Sequence, residues 1–129
     1  MKHKLLIEKR KIIVFAQIKG FNDLKYLKFI LDTGSSTTII DEQVATTLGF
    51  DLTKMKTGDR LMTAGGSTKS KILNLPKLSL FGKDIEDFEV SVLDLPPQIT
   101  YFVDGLIGMD FLLQFESIKI NFDEKSIET

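Results

Sequence analysis

One aspartate in this sequence stands in a setting that suits catalysis. Asp32 follows the apolar run at 29–31 and precedes Thr33, Gly34 and Ser35. An aspartate in that position leaves the core and enters a tight turn, and Gly34 lets the backbone approach another chain or a ligand closely. The two hydroxyls lie within reach of the carboxylate and the neighbouring amides. The same residues also suit an ordinary turn in which Asp32 only accepts local hydrogen bonds, so they establish no function alone.

Other reactive groups find little support in the sequence. The chain has no cysteine, which excludes thiol catalysis, disulfides and cysteine-bound metal. Its one histidine, His3, lies near a terminus, so neither a Ser-His-Asp triad nor a histidine zinc site is indicated. The segment 65–70 lacks the glycine spacing and the Gly-Lys-Ser/Thr ending of a phosphate loop. We therefore expect no metal and no cofactor, and carboxylates remain as the candidate catalytic groups.

Short strands separated by turns are predicted to position Asp32. Alternating or continuous apolar residues predict strands at 12–18, 27–31, 88–92 and 118–122. Glycine, proline and aspartate signals predict turns at 20–23, 65–67, 81–84 and 96–97. The strand at 27–31 runs directly into Asp32, and most of the chain is predicted to be β-structure.

Two short helices interrupt this pattern. Asp41 is predicted to cap a helix over 42–48, with Gly49 as its left-handed stop. A second helix, from 109 to about 115, is apolar nearly all round and is therefore predicted to be buried. Asp110 in its first turn suits the helix dipole.

Size and charge indicate an ordinary globular protein. The chain has 129 residues, 43% apolar and 27% charged, which predicts one soluble domain over 1–129. The net charge of −1 gives no strong field toward nucleic acid or an anionic membrane. No apolar run reaches the ~18 residues of a membrane helix, and no secretory signal is visible. We therefore expect a cytoplasmic protein without a nucleic-acid or membrane partner, either whole or as a domain of a longer chain.

Basic residues crowd the N-terminus. They are Lys2, Lys4, Lys9, Arg10 and Lys11. Charged runs of this kind are usually solvated, so the flank of a strand is preferred here over a binding patch.

A second motif, Leu106-Ile107-Gly108, precedes the predicted buried helix. Together with Leu-Asp-Thr-Gly-Ser at 31–35, it resembles the two signature segments of the retropepsin-like aspartic protease family. In that family the apolar-apolar-glycine segment crosses beside the catalytic loop and supports it. The segment 61–68 lies where the family carries its flap, a glycine-tipped hairpin that closes over the substrate. Order and spacing match from the strand at 12–18 to the strand at 118–122, so the chain is identified as a member of this family.

The resemblance implies a fold and a set of site residues. The fold is mostly β, a closed acid-protease β-barrel with one or two short helices that functions as a two-fold homodimer. Asp32 is implied to be catalytic. The residues implied to support the catalytic loop are Thr33, Gly34, Ser35, Leu106, Ile107 and Gly108. The residues implied to form the substrate-binding flap are Met62, Thr63, Ala64, Gly65, Gly66 and Ser67.

The implied activity is that of an aspartic endopeptidase. Two carboxylates share one proton and activate a water molecule that attacks the peptide bond of an extended substrate. The chain has one Asp-Thr-Gly, and Asp104 and Asp110 lack that turn. The second carboxylate is therefore expected from Asp32 of another copy, which a two-fold dimer supplies. By resemblance, Thr33 hydrogen-bonds across the interface and the terminal strands pair between subunits.

Two departures from the viral members are visible. Those members usually carry alanine and aspartate after Asp-Thr-Gly, and arginine after the second glycine, where this chain has Ser35, Ser36 and Met109. The joint absence of that ion pair favours a cellular or bacterial type. The Ser35 hydroxyl, if it bonds the carboxylate, favours its charged form, which predicts an acidic optimum.

Two alternatives stay open. A catalytically silent dimer of the same fold would bind peptides or hold partners together, and Asp32→Ala would leave its function intact. A small β-barrel carrier for an apolar ligand is an alternative from another class, although a carrier has no need of a glycine-flanked aspartate at the end of a strand.

Overall fold

A computed structural model describes residues 1–21, 23–63 and 66–129. The strands are β1 (Lys2–Lys4), β2 (Leu6–Glu8), β3 (Lys11–Lys19), β4 (Leu24–Leu31), β5 (Ile39–Asp41), β6 (Lys56–Thr63), β7 (Gly66–Leu80), β8 (Lys83–Leu93), β9 (Gly105–Ile107), β10 (Lys119–Asn121) and β11 (Ser126–Glu128). The helices are α1 (Glu42–Thr47), α2 (Pro97–Thr100), α3 (Met109–Leu112) and a 3-10 helix (Leu52–Lys54). The predicted mostly β class is confirmed.

The strands form two sheets. The larger sheet has the order β2-β3-β4-β9-β5-β8-β7-β6, and β3 makes an additional pairing with β7. That additional pairing joins two strands that lie far apart in the order, so the sheet curves back on itself. Its closure into a barrel stays a prediction.

The short strand β9 lies between the strands that lead into and out of the Asp32 turn. It runs parallel to β4, with Leu31 opposite Ile107, and antiparallel to β5, with Ile39 opposite Leu106. These neighbours come from distant parts of the sequence. The position of the turn is therefore set by tertiary pairing, not by local sequence alone.

The main core lies between the curved sheet and the short helices. Phe29 of β4 and Phe111 of α3 are fully buried. Phe111 also meets Phe88 of β8 edge to face, with ring centroids 5.7 Å apart. An edge-to-face pair of this kind adds about 0.5–1.5 kcal/mol beyond the area that it buries. Packing in the core thus fixes α3, which directly follows β9 and Gly108.

The first predicted helix is confirmed with its cap. Asp41 accepts a hydrogen bond from the Gln43 N–H at 3.1 Å, α1 ends at Thr47, and Gly49 has φ 96°. The second helix is shorter than predicted. α3 ends at Leu112, and the Leu113 side chain is 73% exposed, so the apolar run at 109–115 is not all buried.

Several elements were not predicted from the sequence, and α2 and β7 are two of them. The residues at 96–97 were interpreted as a turn, yet Pro97 begins α2, where its missing N–H costs no helical hydrogen bond. The long strand β7 was missed because its first half is polar and lacks an apolar alternation.

The terminal strands form the smaller sheet, in the order β1-β11-β10. Lys2 lies opposite Glu128, and Asn121 lies opposite Ser126. Within this subunit the two termini therefore pair with each other, and β1 and β10 are the edges of their sheet. Intersubunit pairing of the termini stays a prediction.

In the described ranges, no helix has both the length and the apolar character needed to cross a membrane.

Candidate active site

The Asp32 turn is fixed to β9 through the backbone. The Asp32 N–H donates to the Ile107 carbonyl oxygen at 2.9 Å, which extends the parallel β4–β9 pairing by one residue. The Ser35 N–H then donates to the Asp32 carbonyl oxygen at 3.1 Å and closes the turn. Asp32 therefore leaves the sheet at a defined point.

The Asp32 carboxylate is partly exposed and has few partners. Its Oδ1 accepts a hydrogen bond from the Gly34 N–H at 2.9 Å. Among the described residues, no donor reaches its second oxygen. One oxygen thus holds the side chain against its own turn, and Asp32 also lines the adjacent cavity.

The loop after the turn rests on the start of α3. The Met109 N–H donates to the Ser35 carbonyl oxygen at 2.8 Å, and the Asp110 N–H donates to the Ser36 carbonyl oxygen at 3.2 Å. A Cβ at Gly108 would collide with the carbonyl oxygen of Thr37. Glycine is needed at 108 because two backbone segments pass each other there.

Gly105 has the same role at the other end of β9. A Cβ at this position would collide with the Ile39 carbonyl oxygen and come within 2.9 Å of the Phe29 ring. β9 therefore fits between β4 and β5 because its first residue and the residue after its end are both glycines.

A second aspartate stabilises this loop from inside. Asp110 Oδ2 accepts from the Thr38 N–H at 3.0 Å, and Oδ1 accepts from the Thr38 hydroxyl at 2.7 Å and the Phe111 N–H at 2.8 Å. The Thr38 hydroxyl oxygen in turn accepts from the Gly108 N–H at 3.1 Å. Thr38 is fully buried. This pair joins the far end of the Asp32 loop to the beginning of α3.

The Thr38–Asp110 contact was not predicted from the sequence. Asp110 was interpreted only as an acidic residue that suits a helix dipole. The two residues lie far apart in the chain, and a partner for Asp110 becomes visible only once β5 and α3 are placed side by side. The one available signal was Thr38 itself, a polar residue directly before the apolar pair Ile39-Ile40.

The Ser35 hydroxyl does not bond the carboxylate. It donates to the Thr37 carbonyl oxygen at 2.7 Å, which turns it into the loop. The physical reason given for an acidic optimum is therefore wrong in this subunit. Thr33 is exposed, and Gly34 is exposed beside it.

A cavity of about 520 Å³ lies beside Asp32. Gly34, Ser35 and Leu106 contribute to its wall. Much of its lining is apolar, and Arg10 and Lys11 stand in the same wall. Arg10 is exposed and Lys11 begins β3, which is compatible with a solvated strand flank, and the β2–β3 hairpin brings both residues to the cleft.

The predicted flap coincides with the β6–β7 hairpin, although its tip residues Ala64 and Gly65 lie outside the described residues. Met62 pairs with Ser67, and Thr63 pairs with Gly66. Gly66 and Ser67 border a neighbouring cavity. Leu95 and Pro96 belong to the walls of both that cavity and the Asp32 cavity. The tip end of the hairpin thus borders a cavity that shares two wall residues with the Asp32 cavity.

Across the described ranges, no group of three histidine, cysteine, aspartate or glutamate side chains lies close enough together to hold a metal ion.

Comparison with known proteins agrees with this geometry. Residues 16–111 match a family described as aspartyl protease. The chain belongs to the aspartyl protease family. The matched range includes the Asp32 turn, the β6–β7 hairpin and β9, so the retropepsin-like resemblance is confirmed.

Solved structures of retropepsin-like proteins have the same fold. A retropepsin-like aspartic protease from Rickettsia conorii is 24% identical, with a TM-score of 0.74 over 98% of this chain and 88% of that one. An EIAV protease complexed with the inhibitor HBY-793 is 17% identical, with a TM-score of 0.66 over 88% and 95%. The retroviral protease-like domain of Ddi1 from Leishmania major is 18% identical, with a TM-score of 0.62 over 92% and 86%.

A relative in sequence is an uncharacterized protein of Rickettsia prowazekii (strain Madrid E). It is 30% identical over 106 residues, which cover 79% of this chain and 41% of that protein. The chain thus spans about two-fifths of the length of this relative. The family and the fold together support a protease-type function for this aspartyl protease homologue.

Proposed function

We propose that residues 1–129 form one aspartic endopeptidase domain, which works as a two-fold homodimer with one Asp32 from each subunit. The observation that carries this proposal is the open carboxylate oxygen of Asp32 beside a large cavity. The other aspartates of this region are committed to internal donors. Asp41 accepts from the Leu95 N–H at 3.0 Å, Asp104 accepts from the Lys28 N–H at 2.9 Å, and Asp110 holds Thr38.

One subunit is not enough for the chemistry. Hydrolysis by carboxylates needs two of them close together with one shared proton, because two like charges at about 3 Å do not both ionise. The described lining of the Asp32 cavity offers one aspartate and no glutamate. A second copy related by a two-fold axis brings the matching carboxylate without any further sequence.

The surface around Asp32 supports contact with a second backbone. Gly34 does not adopt a positive φ, and a Cβ there would meet only the Asp32 Oδ1, at 3.2 Å. No neighbour in the described part of the subunit therefore demands glycine at this position. A close approach from outside, by a partner subunit or a substrate, supplies the reason.

The proposed reaction uses water and no cofactor. The ionised carboxylate takes a proton from a water molecule held between the two aspartates, and the water oxygen bonds to the scissile carbonyl carbon. The protonated carboxylate donates its proton to the carbonyl oxygen. When the C–N bond breaks, one carboxylate gives its proton to the leaving amine nitrogen. The other takes a proton from a hydroxyl of the tetrahedral intermediate as the C=O bond re-forms, so the pair again holds one proton.

The substrate in this proposal is an extended polypeptide. The β6–β7 hairpin covers it as a flap, and its backbone pairs as a strand pairs, while the apolar wall of the cavity receives side chains. This assigns the six flap residues a binding role and leaves the chemistry to Asp32.

The test is cleavage of casein by wild type, Asp32→Asn and Asp84→Asn. Asparagine at 32 can still accept from the Gly34 N–H, so the turn is kept while the general base is lost. We expect kcat/KM to fall at least ~10²–10⁴-fold. Asp84 is a matched control at the exposed start of β8, where a hydrogen bond from Ser79 and the charge of Lys77 lower its pKa. We expect its replacement to leave activity within about twofold, as for surface sites generally.

Activity is also measured over a wide range of subunit concentration. Steep loss of specific activity on dilution is expected of a dimeric site. A folded wild type that cleaves nothing at any concentration or pH contradicts the proposal and favours a silent peptide-binding dimer. Equal cleavage by Asp32→Asn would contradict it as well.

A further inference from the structure

A strained hairpin tip borders the proposed cleft. β2 and β3 pair with Glu8 opposite Lys11, and the two residues between them, Lys9 and Arg10, have φ 49° and 63°. A two-residue turn with both central residues in the left-handed region is most readily made by Asn-Gly. Long side chains with a Cβ are disfavoured there. Backbone strain of this kind is often found at functional sites. The side chains of Lys9 and Arg10 are therefore candidates for a functional role.

The charges of this tip are not neutralised within the described subunit. Glu8, the acid of the hairpin, forms an ion pair with Lys28 of β4, at 2.8 Å between Oε2 and Nζ. The other ion pairs of the described residues join Lys2 to Glu124 and Lys77 to Asp84. Three adjacent cations, at 9, 10 and 11, are therefore left without an acidic partner there.

Two of these cations lie near the aromatic ring of Phe102. The Nζ atoms of Lys9 and Lys11 lie 5.2 and 5.9 Å from the centroid of the Phe102 ring. A cation over an aromatic face is held in place but keeps its charge. The ring thus fixes part of the positive charge at one edge of the cleft.

Charge and apolar surface meet in one cavity. Arg10 and Lys11 line the cavity beside Asp32, and Ile30, Ile99 and Leu106 give it apolar walls. A side chain that lies in this cavity meets both hydrocarbon and positive charge. Glutamate has that form, with an apolar stem and a terminal carboxylate that guanidinium binds through paired N–H donors.

We propose that Arg10 and Lys11 select a substrate that carries a glutamate carboxylate on the side chain entering the cavity beside Asp32. The inference rests on the proposed peptidase function and specifies its substrate class. The preference is electrostatic, and in the dimer each half of the cleft carries the same pair of cations.

The test uses short apolar peptides with blocked ends, so that only a side chain supplies a carboxylate. Glutamate is placed at successive positions, and each peptide has a glutamine counterpart. At one or more positions we expect wild type to favour glutamate about 10- to 100-fold in kcat/KM, the range for a hydrogen bond to a charged group. The ratio is expected to fall as salt is added.

Two variants and one control assign the preference to the tip. Arg10→Gln with Lys11→Gln is expected to bring the glutamate-to-glutamine ratio to about one, since the side chains keep their polarity and lose their charge. Arg10→Glu is expected to turn the preference toward a lysine peptide. Lys25→Gln removes one positive charge from the exposed part of β4, away from the cavity, and the ratio is expected to stay as in wild type.

The outcomes separate this inference from the peptidase proposal. Cleavage with equal kcat/KM for every glutamate and glutamine pair overturns the selection and leaves the peptidase intact. If nothing is cleaved, the same peptides are tested for binding. Tighter binding of glutamate peptides that the Arg10→Gln, Lys11→Gln protein loses supports the selection without the peptidase, and equal binding overturns it. The selection is also overturned if the Arg10→Gln, Lys11→Gln protein keeps the glutamate-to-glutamine ratio but its dimer dissociates more readily in sedimentation. The two cations would then stabilise the dimer and not select the substrate.

Discussion

Two tight turns border the cleft, and they are held in different ways. The Asp32 turn and the loop to Thr38 are fixed by contacts from outside their own strands, through Ile107, Gly108 and Asp110. The Lys9–Arg10 turn is fixed by the ladder of its own hairpin, with both central residues at positive φ. The first turn uses glycines and hydroxyls where the backbone is crowded. The second places long cations where glycine would be easiest.

The difference reflects what each turn has to do. A carboxylate that takes part in bond breaking has to stay within a fraction of an ångström of one position. Several independent hydrogen bonds and backbone contacts hold the Asp32 turn in one position. A cation that attracts an acidic side chain acts over a longer range and tolerates movement. Such a residue can stand on a simple hairpin, provided that the fold bears the local strain.

The largest expected effect comes from adding a Cβ at Gly108, where two backbone segments pass each other. Gly108→Ala would push a Cβ into the Thr37 carbonyl oxygen. We expect the free energy of unfolding to fall by about 3 kcal/mol or more, measured by urea denaturation. Gly34→Ala is the control in the same loop, where a Cβ meets only the Asp32 carboxylate. Equal stability of the two variants would contradict the idea that crowding at β9 fixes the turn.

A smaller effect is expected from the internal aspartate. Asp110→Ala leaves the buried N–H and hydroxyl of Thr38 without their acceptor, at a cost of about 2–3 kcal/mol. Because the Asp32 loop would shift, we expect kcat to fall with KM little changed. Asp110→Asn keeps one carbonyl oxygen and should recover part of both losses. An Ala variant with wild-type kcat would show that Asp110 does not position the loop.

The smallest expected effect is a gain in the free energy of unfolding, obtained by relieving the strain of the Lys9–Arg10 turn. Lys9→Asn with Arg10→Gly supplies the residues that this turn prefers, so the free energy of unfolding is expected to rise by about 1–3 kcal/mol. Lys9→Gln with Arg10→Gln removes the same charges and keeps the strain. If both double variants change stability equally, charge repulsion and not backbone strain is the cause.

Local features of the fold could be predicted from the sequence. The Asp41 cap, the Gly49 stop and the strand into Asp32 depend on neighbours in the chain, and their residue types are specific. The length of α3 could not be predicted, because the apolar Leu113 becomes exposed only in the tertiary structure. The Pro96–Pro97 pair indicates a turn and a helix start equally well.

The least predictable parts of the site are contacts between distant segments. Nothing near Thr38 in the sequence points to Asp110, and nothing near Arg10 points to Asp32. Hairpin β2–β3 decides that Arg10 and Lys11 reach the cleft while Lys2 and Lys4 remain on the terminal strand. A cluster of basic residues thus divides into two groups with different surroundings.

The central claim, a catalytic pair shared by two subunits, is tested most directly by mixing subunits. Wild type and Asp32→Asn are combined at constant total concentration, allowed to exchange, and assayed on casein. If each active site needs Asp32 from both copies, an equal mixture retains about one quarter of the wild-type activity, since one dimer in four pairs two intact subunits. A value of about one half, in proportion to the intact subunits, would contradict the shared pair.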